Sequence, residues 1–161
     1  MSKAVMLSIR PKWVEKIANG EKTIEVRKTR PKLAPPFKAY IYCTMPKYPH
    51  EDFILTDYPK PQFYGGGKVI GEFTCDQFWI GTPHNTNPLF CMAACMDGFD
   101  TEKYAKGKTL YGWHISDLRI YDTPKELSEF TGLRDTKFGA APYEIKRPPQ
   151  SWCYVEAMKD E

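Results

Sequence analysis

Three side chains between residues 22 and 27 have the types and the spacing of a small charged binding site. Lys22, Glu25 and Arg27 lie in the stretch GEKTIEVRKTR, which spans residues 20–30. Alternate residues of a strand share one face, so Glu25 and Arg27 point the same way with Cα atoms about 6.5 Å apart. A cation at this distance favours the ionised form of a carboxylate. We therefore expect Glu25 to be an acceptor of hydrogen bonds rather than a proton donor.

An ionised carboxylate of this kind suits several roles. It can accept a hydrogen bond from the exocyclic amine of a nucleobase, orient a cation, or act as a general base where the site is partly desolvated. In a hydrolase, Lys22 would activate the nucleophile or a water molecule, with Glu25 as the base. The alternative is an ordinary exposed salt bridge, which contributes little to stability. The pattern alone leaves these interpretations open.

Cations continue beyond this group. Residues 22–32 contain five cations and one anion, a local charge of +4, whereas the whole chain carries only +3. The positive field is therefore local, and Lys28, Arg30 and Lys32 are predicted to attract phosphate groups without reading sequence. A solvated basic face that binds a protein partner, or nothing, is the alternative.

Aromatic side chains supply candidate stacking partners for a base. Trp13, Trp113 and Trp152 can each stack a splayed nucleobase. The alternative for each is a core tryptophan whose indole N–H has one hydrogen-bond partner. His114 alternates with Trp113 along a predicted strand and is a second candidate for the cleft, with a structural histidine as the alternative. The predicted nucleotide-binding residues are Lys22, Glu25, Arg27, Trp13, His114 and Trp152.

No metal or cofactor is predicted. Cys91 and Cys95 share a helix face at i and i+4, but no second close pair or HxxxH motif completes four zinc ligands. The glycine run at residues 65–67 lacks the lysine and hydroxyl residue of a P-loop, and no GxSxG elbow occurs. The chain has five cysteines, an odd number, and its sequence shows no export signal. Both observations indicate reduced thiols rather than disulfides.

The elements that must position these residues come first in the chain. Residues 4–9 have the composition of a buried strand, and Pro11 begins a short helix whose apolar face contains Trp13, Val14 and Ile17. Gly20 ends the helix, and the β-branched alternation of residues 23–27 predicts a second strand. The motif thus follows a strand–helix–strand opening.

The remaining chain predicts a mixed architecture. Strands are expected at 38–44, 68–80 with a bulge at Gly71, 111–121 and 151–157, and helices at 88–96, 101–106 and 124–130. Thr123 and Glu126 would cap the last helix. A polar, proline-rich loop is expected after this helix. Residues 45–67 form an aromatic loop insertion, either packed on the surface or acting as a lid. The prediction is one α+β domain over residues 1–161, a mixed β-barrel with short flanking helices, because the βα alternation does not persist.

Whether a sequence contains export signals or membrane-spanning segments bears on where the protein is located in the cell. No N-terminal stretch combines basic residues with a long apolar run, and no apolar run approaches the length of a membrane span. We therefore expect a cytoplasmic protein with no membrane contact.

The opening segment resembles a known family. From residues 8–11 (SIRP) through Trp13 and Ile17 to GEKTIEVR, the chain is similar to ASCH domains, whose motif GxKxxExR falls on Gly20, Lys22, Glu25 and Arg27. Later segments, GKVIGEF, YGWHISDL and PPQSWCYVE, resemble a branch associated with phages and mobile elements. The resemblance implies a PUA-like barrel with a cleft beside the first helix, and a role in binding RNA or modified nucleotides.

One branch of that family carries hydrolytic chemistry. Its members release acetate from acetylcytidine with a lysine and, three residues later, a threonine nucleophile. Lys22 matches the lysine, but Glu25 occupies the threonine position. A carboxylate is a weaker nucleophile for acyl transfer, so the mechanism does not transfer intact. The sequence therefore predicts binding of nucleic acid or a modified nucleotide, RNA favoured, with a hydrolase acting on acylated cytidine or RNA as the alternative.

Overall fold

A computed structural model of the chain describes residues 2–46, 53–55, 62–82 and 87–159, and its centre is an eight-stranded sheet. The strands are β1 (Lys3–Ile9), β2 (Ile24–Arg27), β3 (Phe37–Cys43), β4 (Phe53–Leu55), β5 (Gln62–Tyr64), β6 (Lys68–Gly81), β7 (Leu110–Lys125), β8 (Thr131–Thr136), β9 (Gly139–Glu144) and β10 (Trp152–Glu156). The α-helices are α1 (Pro11–Ala18), α2 (Pro88–Ala94) and α3 (Gly98–Ala105). None of these helices is long and apolar enough to cross a membrane.

The sheet has the order β2-β7-β6-β3-β1-β10-β8-β9, while β4 and β5 pair separately. β1 and β3 run parallel, so their carboxyl ends lie side by side, and the other pairs of the large sheet are antiparallel. Within the described ranges β2 and β9 do not pair, which leaves a barrel-like but open sheet. The α+β class predicted from the sequence is confirmed.

The strand–helix–strand opening forms as predicted. β1 is an apolar run buried on both faces, and it enters α1 through Pro11 at the first helical position. Val14 and Ile17 bury the inner face of α1, and Gly20 follows the helix with φ of +78°. Glycine adopts that left-handed conformation without a steric cost, so the chain can turn sharply from α1 into β2.

One apolar cluster holds β2 against the helices α2 and α3, and a second forms the main core of the sheet. Ile24 and Val26 pack with Phe90 and Ala94 of α2 and with Ala105 of α3. The main core lies between α1 and the sheet and includes side chains of β1, β3, β6 and β7. β2 is therefore held on its apolar face, while Glu25 and Arg27 alternate onto the other face.

The predicted bulge at Gly71 is confirmed. The register between β6 and β7 shifts between Val69 and Gly71, and a Cβ at Gly71 would lie 2.5 Å from the carbonyl oxygen of Arg119. The backbones of the two strands approach too closely for a side chain at this position.

Two predictions for the later chain are wrong. The expected helix at 124–130 is only a 3₁₀ turn, Leu127–Glu129, capped by Glu126 with Glu129 rather than by Thr123, because pairing with β6 extends β7 to Lys125. The expected proline-rich loop contains the β8–β9 hairpin. Pro142 suggested a loop, but β9 is an edge strand, where proline is tolerated.

The aromatic insertion at 45–67 contains the short β4–β5 hairpin. Tyr48 and Tyr58, on which the lid interpretation partly depended, lie outside the described residues.

Candidate functional site

A cleft of about 620 Å³ opens where the parallel strands β1 and β3 end, beside α1 and β2. The segment before β10 and the α2–α3 region close its other sides. The lining residues are Ser8, Ile9, Arg10, Trp13, Lys22, Glu25, Val26, Arg27, Thr44, Met96, Tyr104, Pro148, Pro149 and Gln150. The three motif residues Lys22, Glu25 and Arg27 therefore meet in one hollow.

Lys22 is a buried lysine at the base of the cleft. Its side chain is 2% exposed, and Nζ donates to the carbonyl oxygen of Ala94 at 2.8 Å. Nζ also lies 4.9 Å from the centre of the Trp13 ring, a cation–π distance. The turn after α1 directs the chain here, since the Lys22 backbone N–H donates to the carbonyl of Lys16.

Burial lowers the pKa of the Lys22 ammonium below its usual value, and the nearby Arg27 charge lowers it further. Glu25 and Cys95 act in the opposite direction by favouring the charged form. The dominant cause is desolvation, which penalises the charged form of any buried amine. The cleft thus holds an amine that loses its proton more readily than a surface lysine.

Glu25 is a buried carboxylate that lacks part of its hydrogen bonding. It is 6% exposed, and Oε1 accepts from the backbone N–H of Val26 at 3.2 Å and lies 3.8 Å from Nε of Arg27. Oε2 is buried and has no hydrogen-bond partner in the described part of the chain. Buried polar atoms are nearly always satisfied in folded proteins, so an unpaired carboxylate oxygen in a cleft indicates a place for a donor from a ligand.

Arg27 links three strands around the cleft. Nη2 donates to the carbonyl of Ser8 at 2.7 Å, and Nη1 donates to the carbonyl and to Oγ of Ser151, both at 3.1 Å. Ser8 Oγ in turn donates to the carbonyl of Pro149 at 2.6 Å. These bonds join β2 to the end of β1 and to the start of β10. Arg27 therefore positions the walls of the cleft as well as facing Glu25.

Tyr104 on α3 is a wall residue that the sequence analysis missed. Its pKa is raised by burial and by the nearby Glu25 charge, although Arg27 acts against this. Nζ of Lys28 lies 4.8 Å from the centre of its ring, so Lys28 is at the rim. No local pattern marks Tyr104, since α3 reaches the cleft only by packing on β2.

Some of the predicted nucleotide-binding residues line the cleft, and others lie outside it. Trp13 lines the cleft with Lys22, Glu25 and Arg27, but His114 and Trp152 do not, contrary to expectation. Nδ1 of His114 pairs with Asp76 at 2.6 Å, and its ring stacks on Trp79. His114 faces away because it alternates with the core residue Trp113 along β7.

Trp152 is held outside the cleft by its own contacts. Its Nε1 donates to Thr29 Oγ1 at 2.9 Å, and its ring packs against Trp113 and Tyr154. Arg30 and Lys32 line a separate hollow of about 400 Å³. Only Lys28 of the three predicted phosphate contacts therefore lies at the cleft.

The other lining residues come from distant segments. Arg10 and Thr44 follow the ends of β1 and β3, and Pro148–Gln150 precede β10. Ser8 and Arg10 belong to the stretch that carries the family resemblance, and no local pattern marks either side chain as part of a site. Across the described ranges no group of three or more His, Cys, Asp or Glu side chains is placed to hold a metal ion.

Comparisons with known proteins agree with the resemblance. Residues 7–73 match the family model described as the ASCH domain. The fold is similar to the crystal structure of ASCH from Zymomonas mobilis, at 18% identity with a TM-score of 0.65, covering 95% of this chain and 87% of that one. Crystal structures of two mutants of that protein align similarly. One mutant has 18% identity and a TM-score of 0.65, covering 95% of this chain and 88% of that one. The other mutant has 17% identity and a TM-score of 0.59, covering 95% of this chain and 90% of that one.

No curated protein matches the chain. At these low identities the crystal structures show a shared fold only, and that fold confirms the predicted PUA-like architecture. The phage-associated branch stays a prediction. The matched residues 7–73 contain the GxKxxExR motif, and the chain is similar to ASCH domains in this segment and in its fold.

Proposed function

We propose that this protein binds nucleic acid or a modified nucleotide, with RNA favoured, and that the cleft holds one nucleobase. The cleft volume of about 620 Å³ is within the usual range for small-ligand sites, roughly 300–1,000 Å³. We further propose that residues 1–161 form a single ASCH domain with residues 45–67 as an insertion.

The observation that carries this proposal is the unpaired Oε2 of Glu25. A buried carboxylate oxygen gains most from a donor that no protein group supplies. Exocyclic amines and ring N–H groups on the Watson–Crick edge of a base are such donors, and carboxylates accept from the N4 amine of cytosine. Bases are read at this edge when they are unpaired, which favours a single strand or a free nucleotide.

The other cleft residues have complementary roles. Trp13 supplies a flat wall on which a base can stack. Arg27 faces Glu25 and fixes the walls through Ser8 and Ser151. Lys28, at the rim over Tyr104, contacts the phosphate of the bound nucleotide.

The test is Glu25→Gln, compared with Glu21→Gln. Glu21 is exposed and its carboxylate pairs with Lys16 at the surface, so it controls for the same change in charge four residues away. Binding of single nucleotides and short RNA is measured by calorimetry at low salt. Glu25→Gln is expected to lose about tenfold or more in affinity, since one good base contact is worth about 1–3 kcal/mol.

The control variant should bind as the wild type does. Equal affinities for the two variants, both folded by circular dichroism, would remove Glu25 from the site and with it the proposal.

A hydrolase is the second candidate, and the observation that favours it is the lowered pKa of Lys22. A readily deprotonated amine can activate water or a hydroxyl group, with Glu25 as the base. Acetate release from acetylated cytidine and cleavage of RNA are the activities to assay, with Lys22→Met as the inactive variant. Absence of turnover on both substrates would exclude this candidate and leave binding.

A further inference from the structure

We propose that the second hollow, lined by Arg30, Pro31, Lys32, Leu33, Ala34, Pro35 and Phe78, binds a backbone phosphate of a single-stranded nucleic acid. The ligand would then be a strand that continues past the cleft rather than an isolated nucleotide. The inference rests on the proposed function only for the base that occupies the cleft.

Arg30 is positioned as an anion receptor. Its guanidinium carbon lies 5.5 Å from the centre of the Phe78 ring and 5.4 Å from that of Tyr111. Among the described residues its guanidinium has no hydrogen-bond or ion-pair partner. The aromatic rings restrict the plane of the guanidinium, while its five N–H donors stay available for a phosphate, which arginine binds with two parallel bonds.

The hollow carries positive charge without an opposing carboxylate. Lys32 contributes a second exposed cation, and none of the lining residues is acidic. The absence of an acid in the lining leaves the field of both cations available to an incoming anion.

The segment that carries both cations is held rigidly. Thr29 Oγ1 accepts from Trp152 Nε1 at 2.9 Å, and the Lys32 backbone N–H donates to the hydroxyl of Tyr154 at 2.8 Å. Pro31, between the two cations, is buried. Because the segment is ordered before a ligand arrives, binding loses little conformational entropy.

The hollow is also close to the cleft along the chain. Lys28 is at the rim of the cleft, and two residues of extended chain separate its Cα from that of Arg30 by at most about 7 Å. Lys28 at the rim is thus followed along the chain by Arg30 and Lys32 in the hollow. Arginine planes also stack unpaired bases, which favours a single-stranded nucleic acid over an acidic protein.

The experiment compares Arg30→Gln with Arg134→Gln. Arg134 on β8 also lies over an aromatic ring, 4.4 Å from the centre of Tyr143, so it is a matched exposed arginine outside both hollows. Affinities for a nucleoside monophosphate, inorganic phosphate and a short single-stranded RNA are measured over a range of salt concentrations.

Arg30→Gln is expected to weaken RNA binding several-fold and to reduce the slope of log affinity against log salt by about 0.7, the value for one lost contact to a single strand. Binding of the monophosphate should stay unchanged, and Arg134→Gln should behave as the wild type. Arg30→Lys, which keeps the charge but loses the planar fork, should give an intermediate loss and serves if Arg30→Gln does not fold.

Equal RNA affinity and salt slope for the Arg30 and Arg134 variants would overturn the proposal. So would inorganic phosphate binding as tightly as RNA in an Arg30-dependent manner, since the hollow would then be a site for free anions. An acidic peptide that displaces RNA only from the wild type would assign the hollow to a protein partner instead. A loss at Arg30 combined with no effect of Glu25→Gln would support this hollow and remove the cleft proposal.

Discussion

Residues 22–27 and residues 28–32 carry similar charged side chains in opposite environments. In the first segment Lys22 is 2% exposed and Glu25 is 6% exposed, and both are surrounded by the cleft. In the second, Arg30 and Lys32 are exposed and line a shallow hollow.

The difference lies in the partners that the fold supplies. A buried charge is tolerated only when fixed groups compensate for lost water, and Arg27 obtains these from Ser8 and Ser151. The exposed cations need no such partners and remain free to attract a ligand. Buried charges therefore shape the site and select which ligand binds. Exposed charges attract the ligand through an electric field that salt screens.

The largest effect should come from breaking the buried set at Arg27. Arg27→Met removes its bonds to Ser8 and Ser151 and leaves the Glu25 charge without its cation, which costs about 3–5 kcal/mol in comparable buried pairs. Arg30→Met, the same change in the exposed segment, should alter stability by about 1 kcal/mol or less, because it removes only exposed cation–π contacts with Phe78 and Tyr111. Urea denaturation measures both.

A second variant sharpens this prediction. The double variant Arg27→Met with Glu25→Gln should recover part of the loss, because the uncompensated charge is gone. Equal stabilities of the two single methionine variants would show that the bonds of Arg27 make no larger contribution to stability than the exposed Arg30.

A smaller effect should appear in the pH dependence of Lys22. Its pKa is lowered in the folded state, so between that value and the usual 10.5 the unfolded chain holds a proton that the folded chain has lost. Stability therefore rises with pH in this window, by at most about 1.4 kcal/mol per pH unit. Below the window both states are charged, and burial of the ammonium costs stability.

Lys22→Met lacks this titration, so comparing the stability of the wild type with that of Lys22→Met isolates the contribution of the Lys22 amine. Burial raises the pKa of Cys153 to about 11 and that of Cys75 to about 12, which lowers stability at high pH in both proteins. Denaturation midpoints between neutral and alkaline pH should shift in favour of the wild type relative to Lys22→Met. A constant difference across this range would show that Lys22 keeps an ordinary pKa.

The smallest effect should come from Lys28, which joins the two segments. Its ammonium lies over the Tyr104 ring, an interaction worth about 0.5–1 kcal/mol at exposed sites. Lys28→Gln should cost less than about 1 kcal/mol in thermal unfolding but should weaken binding of a nucleoside monophosphate. Lys137→Gln, which removes a lysine over Phe138 at the β8–β9 turn, should leave binding unchanged.

Local patterns predicted the elements that carry the motif. β1, α1 and β2 follow from the apolar run, Pro11, Gly20 and the β-branched alternation. The motif residues that share this region meet in the cleft for the same reason. The error at 124–130 arose because pairing of β7 with β6 overrode a local helix signal at Pro124.

The predicted site residues that lie outside the cleft are those whose environment depends on distant strands. Trp13 is adjacent to the motif through α1, and it lines the cleft with the motif residues. His114 and Trp152 lie on β7 and β10, where partners such as Asp76 and Thr29 decide which way each ring faces. Tyr104 escaped notice because only the packing of α3 brings it to the cleft.

The sequence by itself determined the α+β class, the opening strand–helix–strand unit and the spacing of Lys22, Glu25 and Arg27. These depend on backbone geometry over a few residues, which side-chain periodicity and glycine conformation encode directly. Only the tertiary structure decided that Lys22 and Glu25 are buried, that one carboxylate oxygen lacks a partner and that Arg30 faces another hollow. Burial and partner choice are set by segments far apart in the chain, so no local pattern contains them.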